Sequence, residues 1–179
     1  MVRGRLEIVE PSSKILPQDD GCVDVVAFER VLMWAADPEA IVGEIHRVLR
    51  SGGRALVLAE PDYHAVVEHP PEAGIHGLVA GVMRKAGADP AVGRRLRDLF
   101  RPAMWSTELF LHPPDPEPGP TGEALEELIG DARRVLAEAV DSAVLDRWES
   151  EVRDASAQGI LLVFLPTFAL DATRRDVRS

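Results

Sequence analysis

Two short apolar runs on either side of a capped helical segment constrain the fold of this chain more than any other feature. The first run spans residues 23–28 and the second spans residues 55–59. Both runs are too short for helices and rich in branched aliphatic residues, a pattern that favours buried strands of a parallel sheet. The sequence therefore predicts a β–α–β unit, whose crossover is almost always right-handed.

The segment between the two runs predicts an α-helix. Asp37 is the predicted N-cap, Pro38 occupies the first helical position, and Glu39 suits the helix dipole. His46, within this helix, is expected at the surface or at its boundary. The sequence Ser51-Gly52-Gly53 predicts the helix end, since glycine adopts the left-handed cap conformation without strain. Apolar residues at helical spacing predict one buried face: Ile41, Val42, Ile45, Val48 and Leu49.

The remaining elements are predicted around this unit. Strands are expected over residues 6–9, 107–111 and 160–165, the last being very apolar and therefore central. Helices are expected over residues 71–87, 90–100, 122–140 and 142–157. Prolines crowd residues 113–120, which indicates an extended connector, and the tail from residue 174 to residue 179 is expected to fray.

Charge and composition argue against several classes of protein. The 179 residues carry 30 acidic and 20 basic side chains, a formal net charge of -10. Nucleic-acid and anionic-membrane binding are not expected, because both need a basic surface. The single cysteine, Cys22, excludes an internal disulfide and fits a reducing compartment. The longest apolar run is broken by Pro166 and is too short to cross a bilayer, so we expect a cytoplasmic protein.

Residues 16–62 carry a specific combination of segments. They are Leu16 to Val26, Val31 to Trp34, Asp37 to Glu39, Glu44 to Arg54, and Glu60 to Asp62 with the adjoining Tyr63. In order and spacing they resemble the second half of a class I S-adenosylmethionine-dependent methyltransferase. The resemblance implies an α/β fold: an incomplete Rossmann-like methyltransferase sheet, mainly parallel with an antiparallel last strand. It also implies helices on both faces and a helical insertion before the last strand.

The resemblance implies a single truncated domain over residues 1–179, with residues 113–157 forming the proline-rich connector and helical cap insertion. In the family, a glycine-rich turn after the first strand and an acid after the second hold the cofactor. This sequence contains no G-x-G-x-G pattern, and Ser12 stands where the acid near the adenine is expected. Residues 6–9 would then correspond to the third strand. We therefore expect the isolated chain to bind S-adenosylmethionine weakly or not at all.

The same resemblance implies an incomplete sheet edge. In the family the first and second strands lie between the third and the fourth, so the strand at residues 23–28 would expose one side. Three arrangements could cover it. Residues 6–9 could move beside it, two copies could pair as a homodimer, or a complementing N-terminal chain could supply the missing strands.

Candidate site residues follow the two predicted strands, because ligands of parallel sheets bind at the carboxyl ends of strands. The resemblance places residues 29–33 near the sulfonium of the cofactor. A carboxylate after either strand could orient or deprotonate an acceptor, although acids at strand ends often only solvate loops. No catalytic residue is assigned. The predicted cofactor-binding residues are Ser12, Glu29, Arg30 and Val31, and the predicted substrate-pocket residues are Trp34, Glu60, Asp62 and Tyr63.

A metal site is not expected from the histidine-rich stretch that follows. Its histidines have no i, i+4 spacing, and Pro70-Pro71 interrupts the run, so solvated loop histidines are the favoured interpretation. The residues concerned are His64, His69 and His76 with Glu68 and Glu72.

Two functions are consistent with these patterns. The first is an S-adenosylmethionine-dependent methyltransferase acting on a small-molecule acceptor, present as a truncated or split form. The second is a non-catalytic methyltransferase-like module used for binding or assembly.

Overall fold

A computed structural model describes residues 7–8, 15–112 and 119–175 of the chain. The main sheet has four strands: β1 (Val23–Phe28), β2 (Leu49–Pro61), β4 (Trp105–Leu111) and β6 (Thr167–Arg174). Their order is β1-β2-β6-β4. β1 and β2 are parallel, and β6 is antiparallel to both β2 and β4. The predicted mainly parallel sheet with an antiparallel last strand is therefore confirmed.

A second, two-stranded sheet pairs β3 (Val67–His69) with β5 (Leu162–Phe164). The α-helices are α1 (Pro38–Val48), α2 (His76–Lys85), α3 (Leu96–Leu99), α4 (Gly122–Leu136) and α5 (Ser142–Ala157). Short 3₁₀ turns cover Leu32–Trp34, Pro71–Ala73 and Val92–Arg95. Within the described part of the chain, no helix has the length and apolar character needed to cross a membrane.

The predicted helix start is confirmed, and the predicted helix end is wrong. Asp37 accepts a hydrogen bond from the Ala40 amide at 2.9 Å, as expected of an N-cap. Helix α1 ends at Val48, however, and Gly52 and Gly53 lie inside β2. A Cβ atom on Gly53 would lie 3.2 Å from the Asp24 carbonyl oxygen of β1 and 2.8 Å from the Arg50 carbonyl oxygen. These glycines therefore let the irregular start of β2 pass close to β1, and they do not cap the helix.

Other helix predictions are confirmed with shifted boundaries. Helices α4 and α5 match the pair predicted for the insertion. The predicted helix at residues 71–87 is a 3₁₀ turn followed by α2. The predicted helix at 90–100 is likewise a 3₁₀ turn followed by the short α3. The assignment of residues 113–157 as one connector and cap remains a prediction, because residues 113–118 lie outside the described part.

Two strand predictions are wrong. Glu7 and Ile8 are not in a strand, and Ile8 is 90% exposed; residues 6 and 9 lie outside the described part. The run at residues 160–165 contributes only the short β5, because Pro166 separates it from β6. The central strands are β2 and β6, and the sequence placed β6 partly in a frayed tail. Leu170 and Ala172 alternate inward along β6, so its pattern is that of a strand with one buried face.

One face of the main sheet carries the core. Its side chains meet helix α1 and the Val92–Arg95 turn, whose buried residues include Val42, Ile45 and Val92. Strand β1 was predicted as a buried strand with one unpaired side. Among the described residues it does lie at the sheet edge, and only half of its residues turn toward this core. The sheet residues on the core face are Val26, Phe28, Ala55, Val57, Trp105, Leu109, Leu170 and Ala172.

The opposite face of the main sheet is open. Val25 on β1, Leu58 on β2 and Phe110 on β4 are each 47% exposed. Arg54 and Asp171 form an ion pair across this face, between β2 and β6. The two faces of the sheet are therefore covered unequally over the described residues. We call the face that bears Val25, Leu58 and Phe110 the open face.

His46 is buried, which corrects its predicted surface position. Only 9% of the residue is exposed, and its ring meets the Trp105 ring edge-on at 5.2 Å between centroids. Its Nε2 atom has no hydrogen-bond partner among the described residues. Burial lowers the pKa of His46, and the positive charge of Arg174 lowers it further.

Lowering the pH should destabilise the fold through His46. The unfolded chain takes up a proton near the ordinary pKa of 6.5, whereas the folded chain resists it. The free energy of unfolding should therefore fall as the pH drops from 7.5 to 5.5. Urea unfolding at both pH values should show a smaller fall for His46→Leu than for the wild type. The control is His64→Gln, because His64 is exposed. The role of His46 would be contradicted if His46→Leu lost as much unfolding free energy between the two pH values as the wild type, while His64→Gln lost less.

Candidate functional site

The carboxyl ends of β1 and β2 are joined by one buried carboxylate. Glu60 is fully buried, and its Oε1 atom accepts hydrogen bonds from the amides of Val31 at 2.9 Å and Leu32 at 2.8 Å. These amides begin the turn at Leu32–Trp34 and would otherwise lack partners inside the protein. Glu60 therefore fixes the loop after β1 to the end of β2.

The second oxygen of Glu60, Oε2, is buried and has no hydrogen-bond partner among the described residues. Burial raises the pKa of Glu60, and the hydrogen bonds from Leu32 and Val31 act in the opposite direction. Glu60 was predicted to line a substrate pocket. The structure places it beneath the loop, where its contacts are structural, and its predicted ligand role remains a prediction.

Asp62 is also an internal carboxylate. It is 1% exposed and pairs with Arg94, whose Nη2 atom lies 2.8 Å from Asp62 Oδ1. The His64 amide donates to the same oxygen at 3.1 Å. This pairing raises the pKa of Arg94. Asp62 thus ties the end of β2 to the turn at Val92–Arg95, and its predicted place in a substrate pocket likewise stays a prediction.

The other predicted residues at this edge lie in or beside the loop after β1. The side chains of Glu29 and Arg30 are 55% and 61% exposed, with Oε1 and Nε 3.9 Å apart. Arg30 has a φ of 51°, a left-handed conformation that costs about 1 kcal/mol for a residue with a side chain. Its amide donates to the Ala59 carbonyl at 3.0 Å, which helps to hold this conformation. Trp34 is 56% exposed, and Ser12 lies outside the described residues.

The described residues do not form a complete site for S-adenosylmethionine. Binding the methionine carboxylate requires free backbone amides, and the ribose hydroxyls require an acid. The amides of Arg30, Val31 and Leu32 are already bonded to Ala59 and Glu60. The exposed side chains of Glu29, Arg30 and Trp34 remain available at this edge. We therefore assign no step of methyl transfer to these residues.

A cleft opens beside α2, directly after the end of β2. Its volume is about 350 Å³. Tyr63 lines it, whereas Trp34, Glu60 and Asp62 do not, so one of the four predicted substrate-pocket residues lies at this cleft. The seven lining residues are Tyr63, His64, Val66, Glu68, Gly77, Ala80 and Arg84. We call this feature the α2 cleft.

Glu68 and His76 form a paired group at one end of the α2 cleft. Glu68 Oε1 lies 2.6 Å from His76 Nδ1 and accepts the Ile75 amide at 3.0 Å. The two side chains are 15% and 12% exposed. Burial raises the pKa of Glu68, but the hydrogen bonds from His76 and Ile75 outweigh burial and lower it overall. Glu68 therefore stays ionised and accepts hydrogen bonds only.

Sequence reasoning weighed Glu68 and His76 as metal ligands and favoured solvated loop histidines. For His76 that interpretation is wrong, because its side chain is only 12% exposed and the residue begins α2. No group of three or more histidine, cysteine or acidic side chains suited to a metal occurs in the described part of the chain. The pairing could have been suspected from the sequence, because Glu68 precedes the helix that starts at His76. A carboxylate near a helix start satisfies free amides, but eight residues separate the pair and Pro70-Pro71 intervenes.

Removing the Glu60 carboxylate should cost more than removing a neighbouring exposed one. Glu60→Ala leaves the Leu32 amide buried without an acceptor, so the free energy of unfolding should fall by about 2–4 kcal/mol. Glu29→Ala, at the exposed end of β1, should change it by no more than about 0.5 kcal/mol. Chemical unfolding followed by tryptophan fluorescence measures both. Equal effects of the two substitutions would contradict the locking role of Glu60.

Parts of this chain resemble known proteins in sequence. Residues 2–57 match the family model described as a methyltransferase domain. An uncharacterized 37.1 kDa protein of transposon TN4556 from Streptomyces fradiae is 36% identical over 85 residues, which cover 47% of this chain and 24% of that protein. The matched part of this chain thus spans about a quarter of the length of that relative.

Solved structures share the fold at low sequence identity. The MccD protein has a TM-score of 0.51 and 13% identity, over 90% of this chain and 65% of its own. A candidate methyltransferase from Bacillus halodurans C-125 also has a TM-score of 0.51 and 13% identity, over 90% and 74% of the two chains. The [4+2]-cyclase SpnF has a TM-score of 0.50 and 18% identity, over 94% and 55%. Residues 2–57 thus match a methyltransferase domain, and the chain shares the α/β fold of these solved structures.

Proposed function

We propose that this chain is the acceptor-binding part of an S-adenosylmethionine-dependent methyltransferase that acts on a small molecule in the cytoplasm. A further polypeptide segment, with the glycine-rich turn of the family, supplies the cofactor-binding part. The single observation that carries this proposal is the free edge of β1. S-adenosylmethionine enters the proposal through the family and not through the described residues.

The free edge of β1 calls for a neighbouring strand. β1 pairs with β2 on one side, and none of the described residues forms a strand on the other. Glu7 and Ile8 do not fill that position. Unpaired backbone groups at a sheet edge readily pair with another strand. The open face beside this edge adds exposed apolar side chains, which a helix of the same segment would cover.

A complementing segment fits this edge better than a second copy of the chain. A homodimer would pair one β1 with another, but it would bring no glycine-rich turn, because the sequence contains no G-x-G-x-G pattern. Fold relatives such as MccD and SpnF extend well beyond the part that this chain matches. A segment bearing a parallel strand and an apolar helix would cover both the edge and the open face.

Size and charge favour a small acceptor. The α2 cleft, of about 350 Å³, lies at the lower end of the range for small-molecule sites. The formal net charge of -10 disfavours polyanions such as nucleic acids. The exposed, unpaired Cys22 is compatible with a reducing cytoplasm.

A non-catalytic binding or assembly module is the second candidate. It is favoured by the internal roles of Glu60 and Asp62, since both carboxylates hold loops together. It is also favoured by the occupied amides after β1, which leave little for a cofactor. The [4+2]-cyclase SpnF has a similar fold, which is consistent with uses of this architecture other than methyl transfer.

Calorimetry with S-adenosylmethionine, on the chain with and without a co-expressed upstream segment, separates the two candidates. We expect weak or no binding by the chain alone, because the described amides at the strand ends are occupied. DNA upstream of the Met1 codon should encode a G-x-G-x-G turn followed by a strand that ends in Asp or Glu. Co-expression of that segment should raise cofactor affinity at least about tenfold, or about 1.4 kcal/mol. A low-micromolar dissociation constant for the chain alone would refute the proposal that a separate segment binds the cofactor.

Charge placed on the open face should weaken association with the complementing segment. Val25→Lys puts a cation where about half of an apolar side chain is left to be buried, so the affinity should fall about five- to tenfold. Val144→Lys is the matched control, because Val144 on α5 is 44% exposed and lies outside the main sheet. Sedimentation of the co-expressed pair measures association. Equal losses for both variants would argue against docking at β1.

A further inference from the structure

We propose that the α2 cleft binds a flat aromatic carboxylate that carries a hydroxyl group at the end opposite its carboxylate. This inference names a ligand class for the acceptor site and rests on the proposed function only in calling that ligand the methyl acceptor. The binding itself follows from three features of the cleft: the acceptor Glu68, the cation Arg84, and the space lined by Tyr63, Gly77 and Ala80.

The acceptor end is the carboxylate of Glu68. Its Oε1 atom is occupied by His76 Nδ1 and the Ile75 amide. Among the described residues, no hydrogen bond ends at Oε2, and Glu68 lines the cleft. Because its lowered pKa keeps it ionised, this oxygen can only accept a hydrogen bond. A ligand hydroxyl is a suitable donor at this position.

The cationic end is Arg84. It lies two helical turns after His76 on α2, or about 12 Å along the helix axis. Long side chains on a helix lean toward its N-terminus, which directs Arg84 back toward Ala80 and the cleft that both residues line. No carboxylate of the described part of the chain lies within ion-pair distance of Arg84. A guanidinium group that has no carboxylate partner within the protein can bind a ligand carboxylate through two parallel hydrogen bonds.

The space between the two ends suits a flat ring. Gly77 and Ala80, about one helical turn apart, form its floor. A Cβ atom added to Gly77 would meet nothing within 4 Å, so this floor is open. The Tyr63 ring, which lines the cleft, lies 6.2 Å from the His76 ring at an interplanar angle of 32°. Aromatic side chains of this kind pack favourably on flat aromatic ligands.

A purely structural role explains only part of this arrangement. Glu68 satisfies the amide at the start of α2 and pairs with His76, as a stabilising carboxylate would. That role uses one carboxylate oxygen and requires neither Arg84 nor the open floor at Gly77. The ligand proposal accounts for the second carboxylate oxygen of Glu68, for Arg84 and for the open floor at Gly77.

The test uses 4-hydroxycinnamate as the probe and the full chain without S-adenosylmethionine. Titration followed by calorimetry and by protein NMR should detect binding with shifts at Tyr63, Gly77 and Arg84. Arg84→Gln should weaken binding about tenfold, and cinnamate, which lacks the hydroxyl, should bind several-fold more weakly than the probe. Gly77→Leu should abolish binding by filling the cleft. Lys85→Gln and Gly130→Leu are the matched controls, and both should bind as the wild type does.

Each result decides the proposal. No saturable binding by the wild type, or binding that survives Gly77→Leu, would overturn it. Equal weakening by Arg84→Gln and Lys85→Gln would indicate general charge attraction and would also overturn it. Thermal unfolding of Gly77→Leu and Gly130→Leu confirms that both variants fold; should Gly77→Leu not fold, Arg84→Gln and cinnamate decide alone. Because no cofactor is present, failure here leaves the calorimetric test of the proposed function untouched.

Discussion

The contact between the Glu60 carboxylate and the amides of Val31 and Leu32 organises the functional edge of this protein. It joins the ends of two parallel strands that otherwise separate there, and it sets where the turn at Leu32–Trp34 begins. It also occupies both of these backbone donors. The same interaction that makes the edge rigid therefore leaves these two amides unavailable to a ligand. Asp62, two residues after Glu60, makes a similar internal contact. Its ion pair with Arg94 joins the end of β2 to the turn that leads into α3.

The open side of the sheet follows from the order β1-β2-β6-β4, which leaves β1 at an edge. The core face is closed by α1 and the Val92–Arg95 turn, while Val25, Leu58 and Phe110 on the other face remain half exposed. A sheet of this kind gains stability from one packed face only. Covering the second face and the β1 edge in a single docking event would bury apolar surface and satisfy backbone groups together, which is the physical basis for proposing a complementing segment.

The sequence predicted those elements whose signals are local. The limits of β1, the cap at Asp37 and the helices α4 and α5 depend on nearby residues, and they were confirmed. The errors arose where contacts between residues distant in the sequence determine the secondary structure or the burial. Gly52 and Gly53 have the composition of a helix cap, but their position is set by the approach of β2 to β1. The run at residues 160–165 is more apolar than β6, yet β6 is central because it pairs on both sides. His46 is buried because Trp105, 59 positions away, packs against its ring.

The same distinction between local signals and distant contacts applies to the candidate site. Glu60 and Asp62 were recognised from their positions after a strand, but only tertiary contacts reveal that both are internal. Glu68, His76 and Arg84 carry no spacing that marks a site, because the bend at residues 69–75 brings Glu68 back to the start of α2. The chemistry available to a ligand therefore lies one step away from the strand ends, on α2 and the loop after β2. In the proposed function, a chain whose acids at the strand ends serve its own stability still recognises an acceptor there, and the complementing segment supplies the site for the methyl donor.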